Sequence, residues 1–212
     1  MTLLDILIYI GYFILIINII VYSIRVKFNF GPYRVFYIYI VFTLLMQVLT
    51  ETFAHLYNDN LFLSHYYFIG QFLFLCAFYT SVIKSERLKK VILSTSIFVI
   101  ISVVLLFYFD RSSYNKFSLI EVIITSLPLV IFSIFFFVES IEKSKKFIYI
   151  NSGIFIYLAS TTFLFAAGNY INSSNSELRK IIWDLHAFIY VIYQILIFIE
   201  WYKHFRKKKI VV

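Results

Sequence analysis

The sequence predicts an all-α membrane protein, in which seven transmembrane helices form one bundle and residues 1–212 make a single domain. Three observations predict this class. The chain is 62% hydrophobic and only 14% charged, whereas soluble domains are nearer half apolar and a quarter charged. The apolar residues fall into seven long runs, and the basic residues collect in alternate gaps between them. Five Gly and two Pro leave little room for a linker between domains.

Each apolar run is long enough to cross a membrane, because about 20 helical residues span roughly 30 Å of hydrocarbon. Each run should be helical, since lipid offers the backbone no other hydrogen-bonding partner. The gaps are short and require neighbouring helices to run antiparallel. In chain order the predicted spans are Leu3–Ile24, Tyr33–Phe53, Phe62–Ile83, Val91–Phe109, Phe117–Val138, Phe147–Ala167 and Ile181–Trp201.

Local signals refine individual spans. No basic residue precedes the first span and no small-residue cleavage site follows it, so we expect it to be a membrane helix and not a removed signal peptide. Pro32 follows Gly31 and stands at the start of the second span, the position that proline favours in a helix. Pro128 lies near the middle of the fifth span, where it predicts a kink or a free carbonyl.

The basic residues predict the orientation of the chain. Lys and Arg concentrate in the segments after the first, third, fifth and seventh spans, and only Arg111, Lys116, Arg179 and Lys180 lie in the other segments. Short cytoplasmic loops are enriched in Lys and Arg, so the amino terminus is predicted outside and the carboxyl terminus inside. The net charge of +8 therefore indicates membrane topology and no nucleic acid. Lys207–Lys209 are also placed to contact anionic lipid head groups.

Polar side chains interrupt several spans and need a partner or a shallow depth, because an ionised group in mid-bilayer costs about 2.5–3.5 kcal/mol. On the second span Gln47, Glu51 and His55 follow at i, i+4 and i+8, which places them on one stripe of the helix. The third, sixth and seventh spans carry further polar groups toward the predicted outer side. The predicted ligand-site residues are Gln47, Glu51, His55, His65, Gln71, Asn169, Asp184, His186 and Tyr190.

Three interpretations of these residues remain open. They lie at head-group level or bond between helices, or they line a pocket open to the outside, or some of them bind a metal. In the metal interpretation Glu51, His55, His65 and His186 form a tetrahedral zinc shell, in which Asp184 is an alternative ligand. A zinc-bound water would then attack an ester or amide, with Glu51 or Asp184 as base. The sequence has no HExxH or GxSxG motif.

Three segments carry a family resemblance: SHYYFIGQFLFLCAFY in the third span, INSGIFIYLASTTFLF in the sixth and IWDLHAFIYVIYQILIFIEWYK in the seventh. They resemble small, functionally uncharacterised seven-helix membrane proteins of the kind common in Bacteroidetes. In that group the position of Gln71 is often Glu. The resemblance covers most of the chain and implies membrane location, not a particular activity.

We therefore expect a multi-pass protein of a bacterial plasma (inner) membrane, and the leading functional hypothesis is a small sensor or receptor-like protein. Its outward-facing polar pocket would bind a ligand, and a helix shift would reach a cytoplasmic or membrane signalling protein. The sequence predicts no cofactor under this hypothesis. The first alternative is a zinc-assisted hydrolase of lipid or amide bonds. The second is a small-solute transporter, whose polar path would follow the seventh span from His186 to Glu200, the latter expected at the cytoplasmic surface.

Overall fold

Within the described part of the chain, seven α-helices account for nearly all residues. The computed structural model describes residues 2–26, 31–57, 60–110, 114, 116–143, 146–170 and 176–205, so Arg111 and Lys207–Lys209 lie outside the described residues. The helices are α1 (Leu3–Val26), α2 (Pro32–Tyr57), α3 (Leu61–Val82), α4 (Glu86–Phe109), α5 (Leu119–Lys143), α6 (Ile148–Tyr170) and α7 (Ser176–Phe205).

All seven helices are long and apolar enough to cross a membrane, which confirms the predicted all-helical class and makes the chain a multi-pass membrane protein. Several helices extend past the predicted spans. α4 begins at Glu86 instead of Val91, and α7 runs from Ser176 to Phe205. The reason is that hydropathy ends where the hydrocarbon ends, whereas intrahelical hydrogen bonds continue into the polar turns beyond.

The helices form a closed ring. Each packs against its neighbours in the chain, α1 packs against α7, and α3 also packs against α5, which leaves α4 at the periphery. Helices α1 and α7 run parallel in register. Asn18 Nδ2 donates to both the backbone and side-chain oxygens of Gln194 at 3.0 Å, and one turn later Tyr22 Oη donates to the carbonyl of Ile197 at 3.1 Å.

These contacts define two ends of the bundle. At the end that we call the cavity end, α1, α3, α5 and α7 begin and α2, α4 and α6 end. At the opposite end, which we call the basic end, lie Lys84, Lys146 and Lys203. α5 passes through Pro128 without interruption of the helix.

Two glycines allow close helix packing around the centre of the bundle. A Cβ added to Gly11 of α1 would lie 2.8 Å from the Tyr190 ring, and one added to Gly153 of α6 would lie 2.7 Å from the Tyr193 ring. Small residues are favoured at such contacts in membranes, where close van der Waals packing replaces the hydrophobic effect as the driving force. Both tyrosines of α7 are buried as a result.

Candidate ligand cavity

A cavity of about 420 Å³ lies at the cavity end, between the first halves of α1, α3 and α7 and the second halves of α2 and α6. Its volume falls within the range of about 300–1,000 Å³ that is usual for small-molecule sites. Much of the lining is aromatic, and no Asp, Glu, Lys or Arg among the described residues lines it. The aromatic lining includes Tyr12, Tyr67, Tyr157, Phe165, Trp183 and Tyr190.

Gln47 and Tyr190 form a polar contact in the wall. Gln47 Nε2 donates to the Tyr190 hydroxyl at 2.7 Å, which joins α2 to α7. Gln47 Oε1 is buried and has no hydrogen-bond partner among the described residues. A buried acceptor without a partner costs about 1–3 kcal/mol. Because Gln47 itself lines the cavity, a small turn of its amide would let this oxygen accept from a ligand.

His186 lies one turn before Tyr190 on α7 and also lines the cavity. Its imidazole stacks on Phe165 at 5.2 Å between ring centroids and meets Trp183 edge-on at 6.0 Å. Neither ring nitrogen of His186 has a hydrogen-bond partner in the part of the chain that the structure describes. Both nitrogens can therefore hydrogen-bond to a molecule in the cavity.

Gln71 lies beneath the cavity and ties two tyrosines together. Its Nε2 donates to the hydroxyls of Tyr39 at 3.1 Å and Tyr67 at 2.9 Å. Tyr67, in the cavity wall, faces the Tyr157 hydroxyl at 3.4 Å, and the Tyr157 ring stacks on Tyr193. This network links α2, α3, α6 and α7, so Gln71 supports the wall without itself lining the cavity.

Glu51 and His55 lie outside the cavity, at its rim. His55 is 85% exposed in its side chain and Glu51 is 52% exposed, with 4.0 Å between His55 Nε2 and Glu51 Oε2. Glu51 is connected to the cavity through Tyr12, whose hydroxyl donates to Glu51 Oε1 at 3.3 Å.

His65 is buried on the other side of α3, away from the cavity. Its Nδ1 is hydrogen-bonded to the Glu121 carboxylate of α5. Its Nε2 lies 3.0 Å from the carbonyl oxygen of Tyr114. Because a carbonyl oxygen can only accept a hydrogen bond, this nitrogen carries a hydrogen and donates it. The pair joins α3 to α5 and closes that side of the ring.

Asp184 and Asn169 complete the predicted set. Asp184 is half-buried on α7 outside the cavity lining, and its Oδ1 is buried with no hydrogen-bond partner in the described part of the chain. Asn169 belongs to α6, but its side chain lies outside the described residues.

The structure does not bring Glu51, His55, His65 and His186 together. Among residues 2–205, apart from the segments not described, no three His, Cys, Asp or Glu side chains form a group that could hold a metal ion. The physical reason is helix rotation: His65 faces α5, His186 faces the cavity, and Glu51 and His55 face outward from the rim. The zinc-hydrolase hypothesis therefore finds no ligand group in the residues that the structure describes.

Glu200, which was expected at the cytoplasmic surface, lies near the end of α7, at the basic end of the bundle. Its side chain is fully buried at the basic end, where Oε1 accepts from the Phe147 amide at 2.7 Å and Oε2 from the Tyr149 amide at 3.1 Å. His204 Nδ1 lies 2.9 Å from Oε1. The carboxylate holds the amino terminus of α6.

Sequence reasoning found Gln47, His186 and Tyr190, because polar groups in apolar runs stand out. It missed Tyr12, Tyr67 and the other aromatic lining residues. With 18 Tyr and 26 Phe in the chain, aromatic residues carry little positional signal.

The fold and the cavity together define a class: a multi-pass helical membrane protein with an aromatic cavity at one end of its bundle. Comparison of the chain with protein-family models, curated proteins and solved structures finds no match.

Proposed function

We propose that this chain is a small sensor or receptor-like membrane protein that binds a ligand in the cavity between α1, α2, α3, α6 and α7. The single observation that carries the proposal is the cavity itself, which has adequate volume and is lined by His186 and by Gln47, whose Oε1 has no hydrogen-bond partner among the described residues. Pockets of this kind, mostly apolar with a few polar groups, are typical of small-molecule sites.

The distribution of basic residues supports an outward-facing cavity. Lys84, Lys146 and Lys203 lie at the opposite end of the bundle, and the positive-inside rule assigns that end to the cytoplasm. In this proposal the membrane is a bacterial plasma membrane. The output is a helix shift that a separate cytoplasmic or membrane signalling protein reads at the basic end.

Helix α7 supplies a physical route between the ends. Tyr190 lies in the cavity wall, Gln194 one turn further bonds to Asn18, and Glu200 holds the first turn of α6. A ligand that displaces Tyr190 moves a helix whose far end is fixed by hydrogen bonds to its neighbours. This is a two-state argument, and it requires the ligand to favour one arrangement of α7 over the other.

A thermal-shift screen with a cavity-filling variant tests the binding proposal. Ala187 is buried in the cavity lining, so Ala187→Phe inserts a ring into the cavity. Ala77→Phe on the exposed face of α3 makes the same chemical change elsewhere and is the matched control. A compound at 100 times its Kd stabilises the folded chain by about 2.7 kcal/mol.

Compounds that raise the melting temperature of the wild type and of Ala77→Phe should fail to stabilise Ala187→Phe. Equal stabilisation of all three proteins by every hit would refute binding in the cavity. For the sensor role, a bound compound should change hydrogen exchange at the Phe147 and Tyr149 amides. Unchanged exchange at those amides under saturation would refute transmission to the basic end while leaving the binding site intact.

A further inference from the structure

The charge of the cavity limits what it can hold. No charged side chain of the described residues lines it. The Glu51 carboxylate lies at the exposed rim and accepts from Tyr12, a residue of the cavity wall. The buried carboxylate of Glu121 is directed at His65 on the far side of α3. A charged ligand would lose its hydration without gaining a counter-charge, which is strongly unfavourable.

The shape and polarity of the lining favour flat rings. Tyr157, Phe165 and Trp183 present aromatic surfaces, and aromatic pairs gain energy beyond simple burial when rings stack offset or meet edge to face. His186 already stacks in this way on Phe165, at 30° between ring planes. A planar ligand can extend the same arrangement into the cavity.

The hydrogen-bonding groups of the cavity match a ligand that has one polar edge. Gln47 lines the cavity, and its buried Oε1 has no partner among the described residues, so a small turn of the amide makes this oxygen an acceptor for a ligand. The Tyr190 hydroxyl, which accepts from Gln47 Nε2, retains its own hydrogen to donate. If the amide were turned over, Tyr190 would donate to the amide oxygen, and the pair would still leave one donor and one acceptor. His186 adds a further nitrogen one turn along α7.

We infer that the ligand is an uncharged, ring-bearing small molecule with a hydrogen-bond donor and an acceptor on one edge, such as a carboxamide. The inference rests on the proposed ligand-binding function and narrows it to a chemical class. The ring occupies the aromatic part of the cavity, and the polar edge faces Gln47 and Tyr190.

Four naphthalenes of similar size test the class against the purified full chain in detergent by isothermal titration calorimetry, with protein-free micelles as reference. They are 2-naphthamide (uncharged), 2-naphthoate (anion), 2-naphthylmethylammonium (cation) and 2-methylnaphthalene (no polar group). The amide should bind saturably with the lowest Kd, and both ions should bind at least about tenfold more weakly. The hydrocarbon should lose roughly 3- to 10-fold in affinity for each hydrogen bond that it cannot make.

Two variants separate hydrogen bonding from general packing. Gln47→Met and His186→Phe keep the size of each side chain but remove its polar atoms, and each should weaken 2-naphthamide roughly 3- to 10-fold. Neither should change the Kd of 2-methylnaphthalene. His55→Phe, at a site that is 85% exposed, is the matched control and should change neither ligand. The two substitutions lie on different helices, so they are independent tests. Either variant is sufficient for the test if it is folded, which a monodisperse peak in size-exclusion chromatography shows.

Three results would overturn the inference: an ion that binds as tightly as the amide, an amide Kd unchanged by every variant that elutes as a monodisperse peak, or no saturable binding of any naphthalene. These results leave the proposed function to be decided separately by the library screen. A charged compound whose stabilisation is abolished by Ala187→Phe would keep the cavity as a ligand site and refute only the uncharged class.

Discussion

Glu200→Gln should destabilise the protein more than any other single change of a carboxylate at the basic end. The Glu200 carboxylate is fully buried and accepts from the amides of Phe147 and Tyr149 at 2.7 and 3.1 Å. Both amides belong to the start of α6, where the helix dipole places partial positive charge. Glutamine keeps one acceptor oxygen but points an NH₂ group at one of the two amides.

The magnitude follows from these two bonds. Hydrogen bonds to a charged group contribute about 1.5–3 kcal/mol each, and a buried amide left without an acceptor costs about 1–3 kcal/mol. One bond is weakened and the other is lost, so the free energy of unfolding should fall by about 2–4 kcal/mol. Denaturation with increasing SDS in mixed micelles measures this change, and hydrogen exchange at the Phe147 and Tyr149 amides should accelerate in parallel.

Glu86→Gln is the matched control, because Glu86 pairs with Lys89 at 2.8 Å but its side chain is 77% exposed. Exposed pairs of this kind contribute about 0–1 kcal/mol. If Glu200→Gln cost no more than Glu86→Gln, the buried carboxylate would not hold α6, and the coupling between α6 and α7 would need another explanation.

Three further substitutions test other buried contacts with the same SDS titration. Gln71→Leu removes two donations to tyrosine hydroxyls and should cost about 1–3 kcal/mol. His65→Phe should cost about 3–5 kcal/mol, because it leaves the buried Glu121 carboxylate without its partner; replacing Glu121 by Leu in the same chain should recover most of that loss. Gly153→Ala should cost about 1–3 kcal/mol, since its Cβ would lie 2.7 Å from a tyrosine ring. Gly168→Ala, whose Cβ would find its nearest neighbour at 3.6 Å, should cost less than Gly153→Ala and would contradict the steric argument if it cost as much.

The seven helices could be predicted from the sequence, because a membrane allows a long apolar run few alternatives to a helix. The boundaries were less accurate. For example, α4 begins at Glu86, in a polar segment before the apolar run. Ser85 caps this helix, because its side chain accepts from the Leu88 amide at 3.4 Å. A serine followed by charged residues is a visible start signal, but hydropathy gives it no weight.

The site could be predicted only in part, because lipid and protein interior are both apolar. A soluble helix shows which face is buried through its polar side, whereas these helices give little such signal, and their rotation cannot be read from composition. Gln47 and His186 stood out as polar and do line the cavity. His65 is also a polar residue in an apolar run, but its side chain faces α5 and not the cavity. Its partner, Glu121, became evident only when the ring order of the helices placed α3 against α5.

The rim of the cavity and the basic end of the bundle are held by different kinds of contact, and this difference bears on how a ligand could act. At the basic end Glu139 of α5 accepts from the Lys84 and Ser85 amides at 2.9 and 3.0 Å, just before α4, as Glu200 of α7 does at the start of α6. Bonds from a carboxylate to helix-terminal amides are charge-assisted and resist separation of the helices. At the cavity end the buried His65–Glu121 pair joins α3 to α5, but the rim contact between Tyr12 of α1 and Glu51 of α2, at 3.3 Å, is exposed and weaker. An occupant that tilts α7 should therefore move the cavity end most and strain the Glu200 bonds at the pivot. Ligand binding should therefore be detectable far from the cavity as a change in hydrogen exchange at the Phe147 and Tyr149 amides, which Glu200 accepts from.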